Sequence, residues 1–241
     1  MTGADYFASD THLSEARPDI TDRFLRFLNF VKLDGKRLFL LGDIFDLWVG
    51  PKQRRLSYVR PIVRQLRALT AAGIEVVYVA GNRDFNFDAR VNGGPAKELP
   101  DVHTMRCGDL RLYLTHGDLY CTGDRAYRRA RGIGRSAPLR FVFAKMPLRI
   151  STFLSQGYRR LSSRVVRRKS RREKAVDFSR VRATLRSGYD TVVCGHVHHG
   201  ARYTVDLGDG RTGEFITLGD WNRAGVYLVG RDGVLELKKF K

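Results

Sequence analysis

The stretch "IEVVYVAGNRDF", residues 74–85, joins an apolar run to a Gly-Asn pair that an acid follows closely. Its β-branched and aromatic residues are typical of a buried strand. An amide oxygen placed directly after such a strand can serve as a metal ligand, and Asn82 offers one here. Arg83 puts a permanent positive charge beside that ligand. The stretch therefore predicts a buried strand with a charged metal site at its carboxyl end.

Further strand-like runs lie at 5–9, 37–41, 110–115 and 191–194, and helix-period stretches separate several of them. One helix is predicted over 21–31 with Thr21 as its N-cap, and another over 57–72, ending at Gly73. This alternation predicts an α/β fold whose first strands are parallel. The C-terminal runs at 200–206, 213–218, 225–229 and 233–240 are separated by "GDGRTG" and "GRDG", which are typical of antiparallel hairpins.

The composition indicates a folded protein with a full core, since 43% of the 241 residues are hydrophobic. We expect a single domain over 1–241. The start, "MTGADYFASDTHL", lacks the pattern of a secretory signal, and no apolar run approaches the length of a membrane-spanning helix. The three cysteines share no metal-type spacing. The expected location is the reducing cytoplasm.

The net charge of +19 is concentrated in one segment. Residues 125–182 carry 19 Lys and Arg against two acids, a local net of +17, so the rest of the chain is almost neutral at +2. Such a segment invites a nucleic-acid or an anionic-membrane partner. The charge belongs to this segment and not to the body that carries the candidate ligands.

The basic segment, 125–182, is predicted to be a helical cap inserted into the domain. Apolar residues recur at intervals of three and four, at positions 150, 153, 154, 158, 161 and 165, and arginines fill much of the remaining surface. Two interpretations stay open. The stripe packs on the body and leaves a solvated basic face, or it meets acyl chains or a membrane while the arginines meet phosphates.

Metal-binding residue types follow five of the predicted strands. In chain order they are Asp10 and His12 ("DTH"), Asp43 ("GDIFD"), Asn82 ("GNRD"), His116 ("HGD"), and His196 with His198 ("GHVH"). In open α/β sheets, function collects at the carboxyl ends of the strands. Each motif alone is weak, but the five in order form a strong signal.

This mixture of imidazoles, carboxylates and one amide suits Mn²⁺, Zn²⁺ or Fe, and is too rich in nitrogen for Mg²⁺ or Ca²⁺ alone. One carboxylate can bridge two ions about 3.5–4 Å apart, the separation used for in-line phosphoryl displacement. The sequence therefore predicts a dimetal phosphoesterase.

The pattern D-x-H…GD…GN…H…GHxH resembles the calcineurin-like metallophosphoesterases. The more specific stretches "FASDTHLSEARPDITDRFLRFL", "LGDIFDLWVG", "GNRDF" and "THGDLYCTGDRAYRRAR" look like the UDP-2,3-diacylglucosamine hydrolases of lipid A synthesis. The resemblance covers most of 5–131 and the "CGHVHH" region. It implies a sandwich of two mixed β-sheets flanked by helices.

The resemblance also implies roles for single residues. One metal ion, usually manganese in this family, would be held by Asp10, His12, Asp43 and His198, and a second by Asp43, Asn82, His116 and His196. Water would attack the α-phosphorus of the UDP-lipid, releasing UMP and the diacyl sugar 1-phosphate. The substrate-binding residues would be Asn82, Arg83, Asp124, Tyr127 and His196.

Arg83 is expected to clamp the diphosphate, since an arginine donates bidentately but does not release a proton at working pH. The alternative is a surface ion pair with Asp84. Asp84 and Asp118 are expected to orient histidines, with the alternative that either is an ordinary loop acid. In the cap, "SSRVVRRKSRREKAVDF" departs from the pattern of the family, and Arg171, Arg172 or Lys174 are the candidates to replace the expected substrate contacts.

The predicted partners are a nucleotide-lipid substrate and an anionic membrane surface, which the basic cap would contact at the cytoplasmic face of the inner membrane. We expect no nucleic acid and identify no obligate protein partner. Three alternatives stay open: a paralogue that cleaves another nucleotide- or lipid-linked diphosphate, a nuclease whose basic cap grips a phosphodiester backbone, and a catalytically silent basic adaptor.

Overall fold

Buried strands and amphipathic helices alternate along the chain in a computed structural model that describes residues 3–48, 50–85, 87, 97–99, 101–121, 141–142, 145–150, 152–154, 157 and 176–241. The strands are β1 (Ala4–Ala8), β2 (Gly35–Leu40), β3 (Glu75–Val79), β4 (Lys97–Leu99), β5 (Val102–Cys107), β6 (Leu110–Thr115), β7 (Thr191–Cys194), β8 (Ala201–Asp206), β9 (Thr212–Thr217), β10 (Gly225–Arg231) and β11 (Val234–Phe240). The helices are α1 (Pro18–Asp34), α2 (Val59–Ala71) and α3 (Phe178–Arg186), with a 3₁₀ helix at Pro51–Arg55.

The strands form two mixed sheets. The first has the order β11-β10-β1-β2-β3-β4, in which β1 to β4 run parallel and β10 and β11 are antiparallel. The second has the order β5-β6-β7-β9-β8, with β6, β7 and β9 parallel. The predicted parallel start, the two C-terminal hairpins and the sandwich of two mixed sheets are confirmed.

Successive side chains along the strands point to opposite faces of the sheet and so belong to different layers of the core. In β1, Tyr6 and Ala8 join a cluster that includes apolar residues of α1 and α2, whereas Phe7 between them belongs to a cluster shared by both sheets. Phe39 of β2 lies in the same shared cluster and stacks on Phe7 with ring centroids 4.9 Å apart. Because successive side chains point to opposite faces of a strand, the first sheet is covered by helices on one side and by the second sheet on the other.

The helix α1 begins three residues before its predicted start. Pro18 occupies the first turn, where its missing N–H costs nothing, and Arg17 stands at the N-cap position. Thr21 lies inside the helix and its hydroxyl faces the carbonyl of Arg17, so the prediction that Thr21 caps the helix was wrong. The helix α2 ends close to the predicted stop, and Gly73 follows it with a left-handed φ of +83°.

The last residues of the predicted insert, 178–182, form the first part of α3. This helix packs on the second sheet through Val181 and Leu185, which share a cluster with Val192 and Phe215. Most of 125–182 lies outside the described residues, so the extent of the cap stays a prediction. None of the described helices is long and apolar enough to cross a membrane.

Candidate metal centre

The seven candidate ligands all follow the carboxyl ends of strands. Asp10 and His12 come after β1, Asp43 after β2, Asn82 after β3, His116 directly after β6, and His196 with His198 after β7. The strands β1 to β3 belong to the first sheet, and β6 and β7 to the second. The centre is therefore assembled from both halves of the sandwich.

Five of these residues adopt a left-handed backbone conformation. The φ angles are 54° at Asp10, 47° at His12, 53° at Asp43, 68° at His196 and 59° at His198. Among the described residues, only one other non-glycine residue has a positive φ. Such conformations cost about 1–3 kcal/mol each and persist only where the surrounding structure imposes them, which is typical of functional sites.

One group of ligand atoms comprises Asp10, His12 and His198. The Nε2 atoms of His12 and His198 are 3.4 Å apart, and each lies 3.7–3.9 Å from Oδ1 of Asp10. The two imidazole rings stack with centroids 4.9 Å apart. All three ligand atoms lie within 4.8 Å of one another, close enough to bind one ion.

A second group surrounds His116. Its Nε2 lies 2.9 Å from Oδ1 of Asn82, 3.6 Å from Oδ1 of Asp43 and 3.3 Å from Nδ1 of His196. Its other ring nitrogen, Nδ1, lies 2.8 Å from the carbonyl oxygen of Leu41, so Nε2 is the atom that faces the group. A histidine that binds metal through one nitrogen commonly uses the other in this way.

Asp43 connects the two groups. Its Oδ1 faces His116, while its Oδ2 lies 4.0 Å from Nδ1 of His12. Asp10, Asp43 and His116 also offer three ligand atoms within 4.8 Å of one another. The carboxylate of Asp43 therefore lies between the two groups.

A cation fits these residues because a buried carboxylate oxygen lacks a partner. Oδ1 of Asp10 has no hydrogen-bond partner in the part of the chain that the structure describes. Asp10 is only 1% exposed, and leaving a buried carboxylate oxygen unsatisfied is costly. The mixed nitrogen and oxygen donors suit Mn²⁺, Zn²⁺ or Fe.

The buried groups perturb one another's pKa values. Burial raises the pKa of Asp43 to about 7, against the opposing effect of His116. Burial opposes the charge on His116, yet the nearby carboxylates, that of Asp43 foremost, raise its pKa to about 9. Burial lowers the pKa of His196 to about 4 and that of His12 well below its ordinary value. Neutral His12 and His196 each keep a ring lone pair that can bind a cation.

The sequence model of the family described as calcineurin-like phosphoesterase matches residues 6–200. The chain belongs to that family. It is also similar to curated proteins named UDP-2,3-diacylglucosamine hydrolase. The hydrolase of Stutzerimonas stutzeri is 35% identical, and the match covers 91% of this chain and 92% of the relative. That of Neisseria meningitidis serogroup B is 34% identical and covers 95% of each chain. That of Edwardsiella ictaluri is 33% identical and covers 93% of this chain and 87% of the relative. The predicted family is confirmed.

In this calcineurin-like phosphoesterase, close backbone approach explains two glycines beside the ligands. A Cβ on Gly81 would overlap the backbone nitrogen and Oδ1 of Asp43, and one on Gly195 would overlap Oδ2 of Asp10. The same oxygen of Asp10 accepts a hydrogen bond of 2.8 Å from the backbone N–H of His196. The glycines of "GN" and "GH" thus allow strand ends to approach each other.

Asp84 has a different role from the one predicted. Its buried carboxylate accepts backbone N–H groups of Asp43, Ile44, Phe45 and Gly81 at 2.7–3.2 Å. It therefore holds the loop that carries Asp43, and the expectation that it orients a histidine was wrong. Hydrogen bonds from N–H groups are stronger when their acceptor is an ionised carboxylate.

Arg83 pairs with Asp46 instead of Asp84. One guanidinium nitrogen, Nη1, lies 2.8 Å from Oδ1 of Asp46, and Nε lies 3.6 Å from Oδ2 of Asp43. The side chain is 21% exposed, so it borders the centre and still reaches solvent. Asp46, the second acid of "GDIFD", was not among the residues predicted to lie at the site.

The proposed substrate residues of the cap lie outside the described part of the chain. They are Asp124, Tyr127, Arg171, Arg172 and Lys174. Their roles stay predictions.

We expect Asp84→Asn to destabilise the protein by about 3 kcal/mol, because one amide oxygen cannot accept four N–H groups and the new amide N–H would face other donors. Urea unfolding measures the change. Asp109→Asn, at an exposed aspartate, is the matched control and should change the free energy of unfolding by less than about 0.5 kcal/mol. Equal stability of the two variants would contradict the role assigned to Asp84.

Proposed function

We propose that the chain hydrolyses the diphosphate of UDP-2,3-diacylglucosamine, a step of lipid A biosynthesis. Water attacks the α-phosphorus, the bond from that phosphorus to the bridging oxygen breaks, and the products are UMP and 2,3-diacylglucosamine 1-phosphate. The observation that carries this proposal is the similarity, over more than nine-tenths of the chain, to hydrolases named for this substrate. The assembled seven-residue centre supports it.

The centre would hold two divalent cations, with Mn²⁺ as the proposed ion. Asp10, His12, Asp43 and His198 would bind one, and Asp43, Asn82, His116 and His196 the other. When bound, such cations lower the pKa of water and balance charge on phosphate oxygens. The unpartnered Oδ1 of Asp10 supports this assignment.

Arg83 is the residue that favours a diphosphate substrate. Its guanidinium is held by Asp46 at 2.8 Å beside Asp43 and keeps part of its surface open to solvent. There it binds the diphosphate and stabilises the negative charge that builds up as the bond to the bridging oxygen breaks. The leaving group is a phosphate, which is stable as an anion and does not need a proton. The guanidinium of Arg83, which does not donate a proton, can therefore assist its departure.

The remaining substrate contacts are proposed for the cap. Asn82 and His196 would contact the phosphates from the metal side. The further proposed substrate-binding residues are Asp124, Tyr127, Arg171, Arg172 and Lys174.

We expect UMP to appear when the Mn²⁺-loaded protein is incubated with UDP-2,3-diacylglucosamine, and to stop appearing after chelation. Elemental analysis should find about two Mn²⁺ per chain, and Asp43→Asn should bind less metal and release no UMP. Cleavage of a generic diester without UMP release would refute the substrate. Salt-dependent DNA binding with strand cleavage would favour a nuclease. A protein that binds no metal and hydrolyses no diphosphate would instead favour a catalytically silent adaptor.

We expect Arg83→Ala to lower kcat/KM for the nucleotide-lipid by about 10²–10³-fold, because a charge that stabilises the transition state is lost. Arg83→Lys should recover only part of the lost kcat/KM, since an ammonium group cannot donate two hydrogen bonds in the fixed bidentate geometry of a guanidinium. Arg17→Ala, which breaks a comparable ion pair with Asp19 at 2.8 Å, is the control. Equal losses in the two alanine variants would contradict the role of Arg83.

We also propose that the cap places the protein on the cytoplasmic face of the inner membrane. Among its few described residues, Phe141 and Phe153 are 65% and 74% exposed. Exposed aromatic residues within a strongly basic segment are typical of surfaces that bind anionic lipid.

Flotation with vesicles that contain anionic lipid tests this placement. The full chain is expected to float with the vesicles, and a variant without residues 135–170 to stay at the bottom, since the basic and apolar segment is removed. Metal content serves as the control for folding of the shortened chain. Equal flotation of the two proteins would show that the cap does not mediate membrane binding.

A further inference from the structure

The loop 195–200, which carries two of the candidate ligands and which we call the ligand loop, crosses the end of a strand. It leaves β7 after Cys194 and enters β8 at Ala201, and β9 lies between these two strands in the second sheet. Because β9 runs parallel to β7, its carboxyl end lies at the same edge of the sheet as the candidate ligands. Thr217 is the last residue of β9 and pairs with both Cys194 and Ala201. The ligand loop therefore crosses the sheet edge at Thr217.

The side chain of Thr217 holds the far end of the ligand loop. Its hydroxyl donates to the carbonyl of His199 at 2.6 Å and accepts the backbone N–H of Ala201 at 3.1 Å. Thr217 is only 1% exposed, so this hydroxyl has little access to water. The near end of the loop is held by backbone alone, since the N–H of Leu218 donates to the carbonyl of Cys194 at 2.7 Å. The end of β9 thus holds both ends of the ligand loop.

His198 is the candidate ligand that depends on the far end. Its side chain is 40% exposed, whereas that of Asp10, which it faces at 3.7 Å, is fully buried. Its backbone makes no hydrogen bond to another backbone group within the described ranges. The anchored neighbours are Val197, whose N–H bonds within the loop, and His199, whose carbonyl accepts from Thr217. The left-handed backbone of His198, with a φ of 59°, therefore relies on these neighbours to impose it.

His196, the other ligand of the loop, is held by different groups. Its backbone N–H donates to Oδ2 of Asp10 at 2.8 Å, and the N–H of the preceding glycine donates to the carbonyl of His116 at 3.0 Å. Neither bond involves Thr217. A change of the Thr217 hydroxyl is therefore expected to displace His198 and to leave His196 in place.

We propose that Thr217 is a positioning residue for the metal ion that His198 would bind. The proposal rests on the proposed metal centre, and it does not depend on the identity of the substrate. The hydroxyl of Thr217 bonds to backbone groups of the loop, so its effect reaches the ion through His198. Without the hydroxyl, the carbonyl of His199 loses its donor and the N–H of Ala201 its acceptor. The loop must shift to find them other partners, because unsatisfied polar groups are costly.

Three variants separate the hydroxyl from the shape of the side chain. Thr217→Val keeps the branched shape and removes the hydroxyl, whereas Thr217→Ser keeps the hydroxyl. Thr191→Val is the matched control, because Thr191 is 2% exposed and lies in the same sheet. It stands at the first residue of β7, the end of the strand away from the candidate ligands.

Titration calorimetry of the metal-free full chain with Mn²⁺ measures the affinities of the two proposed sites. We expect Thr217→Val to weaken one binding step about tenfold and to leave the other unchanged, since groups that orient a ligand commonly contribute this much to metal affinity. Thr217→Ser should restore most of the affinity, and Thr191→Val should leave both steps unaltered. At about two equivalents of Mn²⁺, electron paramagnetic resonance should show coupled ions in the unaltered protein and a larger share of single ions in Thr217→Val.

Equal affinities in Thr217→Val and Thr191→Val would overturn the positioning role. Equal weakening of both steps would also overturn it, because the whole centre would then have loosened. A serine variant as weak as the valine variant would show that the hydroxyl is not the cause. If the unaltered protein binds Mn²⁺ but releases no UMP, the proposed substrate fails while the titration still decides the role of Thr217. If it binds no Mn²⁺, the metal centre is refuted, and this proposal with it.

Discussion

Four backbone N–H groups converge on the buried carboxylate of Asp84, and the geometry of the metal centre depends on this convergence. It holds the loop after β2 so that Asp43 keeps a left-handed backbone, a conformation that the residue would otherwise avoid. The backbone N–H of Arg83 then donates to Oδ1 of Asp43 at 2.9 Å. One acid in "GNRD" thereby holds the loop of Asp43, and through Asp43 it helps to hold the backbone of Arg83.

The positions of the ligands could be predicted from the sequence because of a general property of parallel sheets. Strands that run the same way end at the same edge, so polar residues that follow apolar runs are brought together whatever the details of the loops. The role of Asp84 could not be predicted in this way. It depends on the direction of backbone N–H groups in a tight loop, which the residue types alone do not determine. The ion pair of Arg83 with Asp46 required the same information.

The errors in the secondary structure have similarly local causes. Thr21 is a good N-cap residue by type, but Pro18 starts the helix one turn earlier because its ring favours the first helical position. The strand β5 was missed since "VHTMRC" mixes polar and apolar residues on a strand at the edge of its sheet.

The hydrogen bond from His196 to Asp10 joins residues 186 positions apart. Because synthesis proceeds from the N-terminus, Asp10 leaves the ribosome well before the "GHVH" segment. The carboxylate of Asp10 therefore lacks this donor until the segment after β7 is in place. A chain truncated before β7 lacks two of the seven candidate ligands however well its first sheet folds. The full set of candidate ligands thus comes together only in a molecule whose two sheets are both folded, since the ligands follow strands of each sheet.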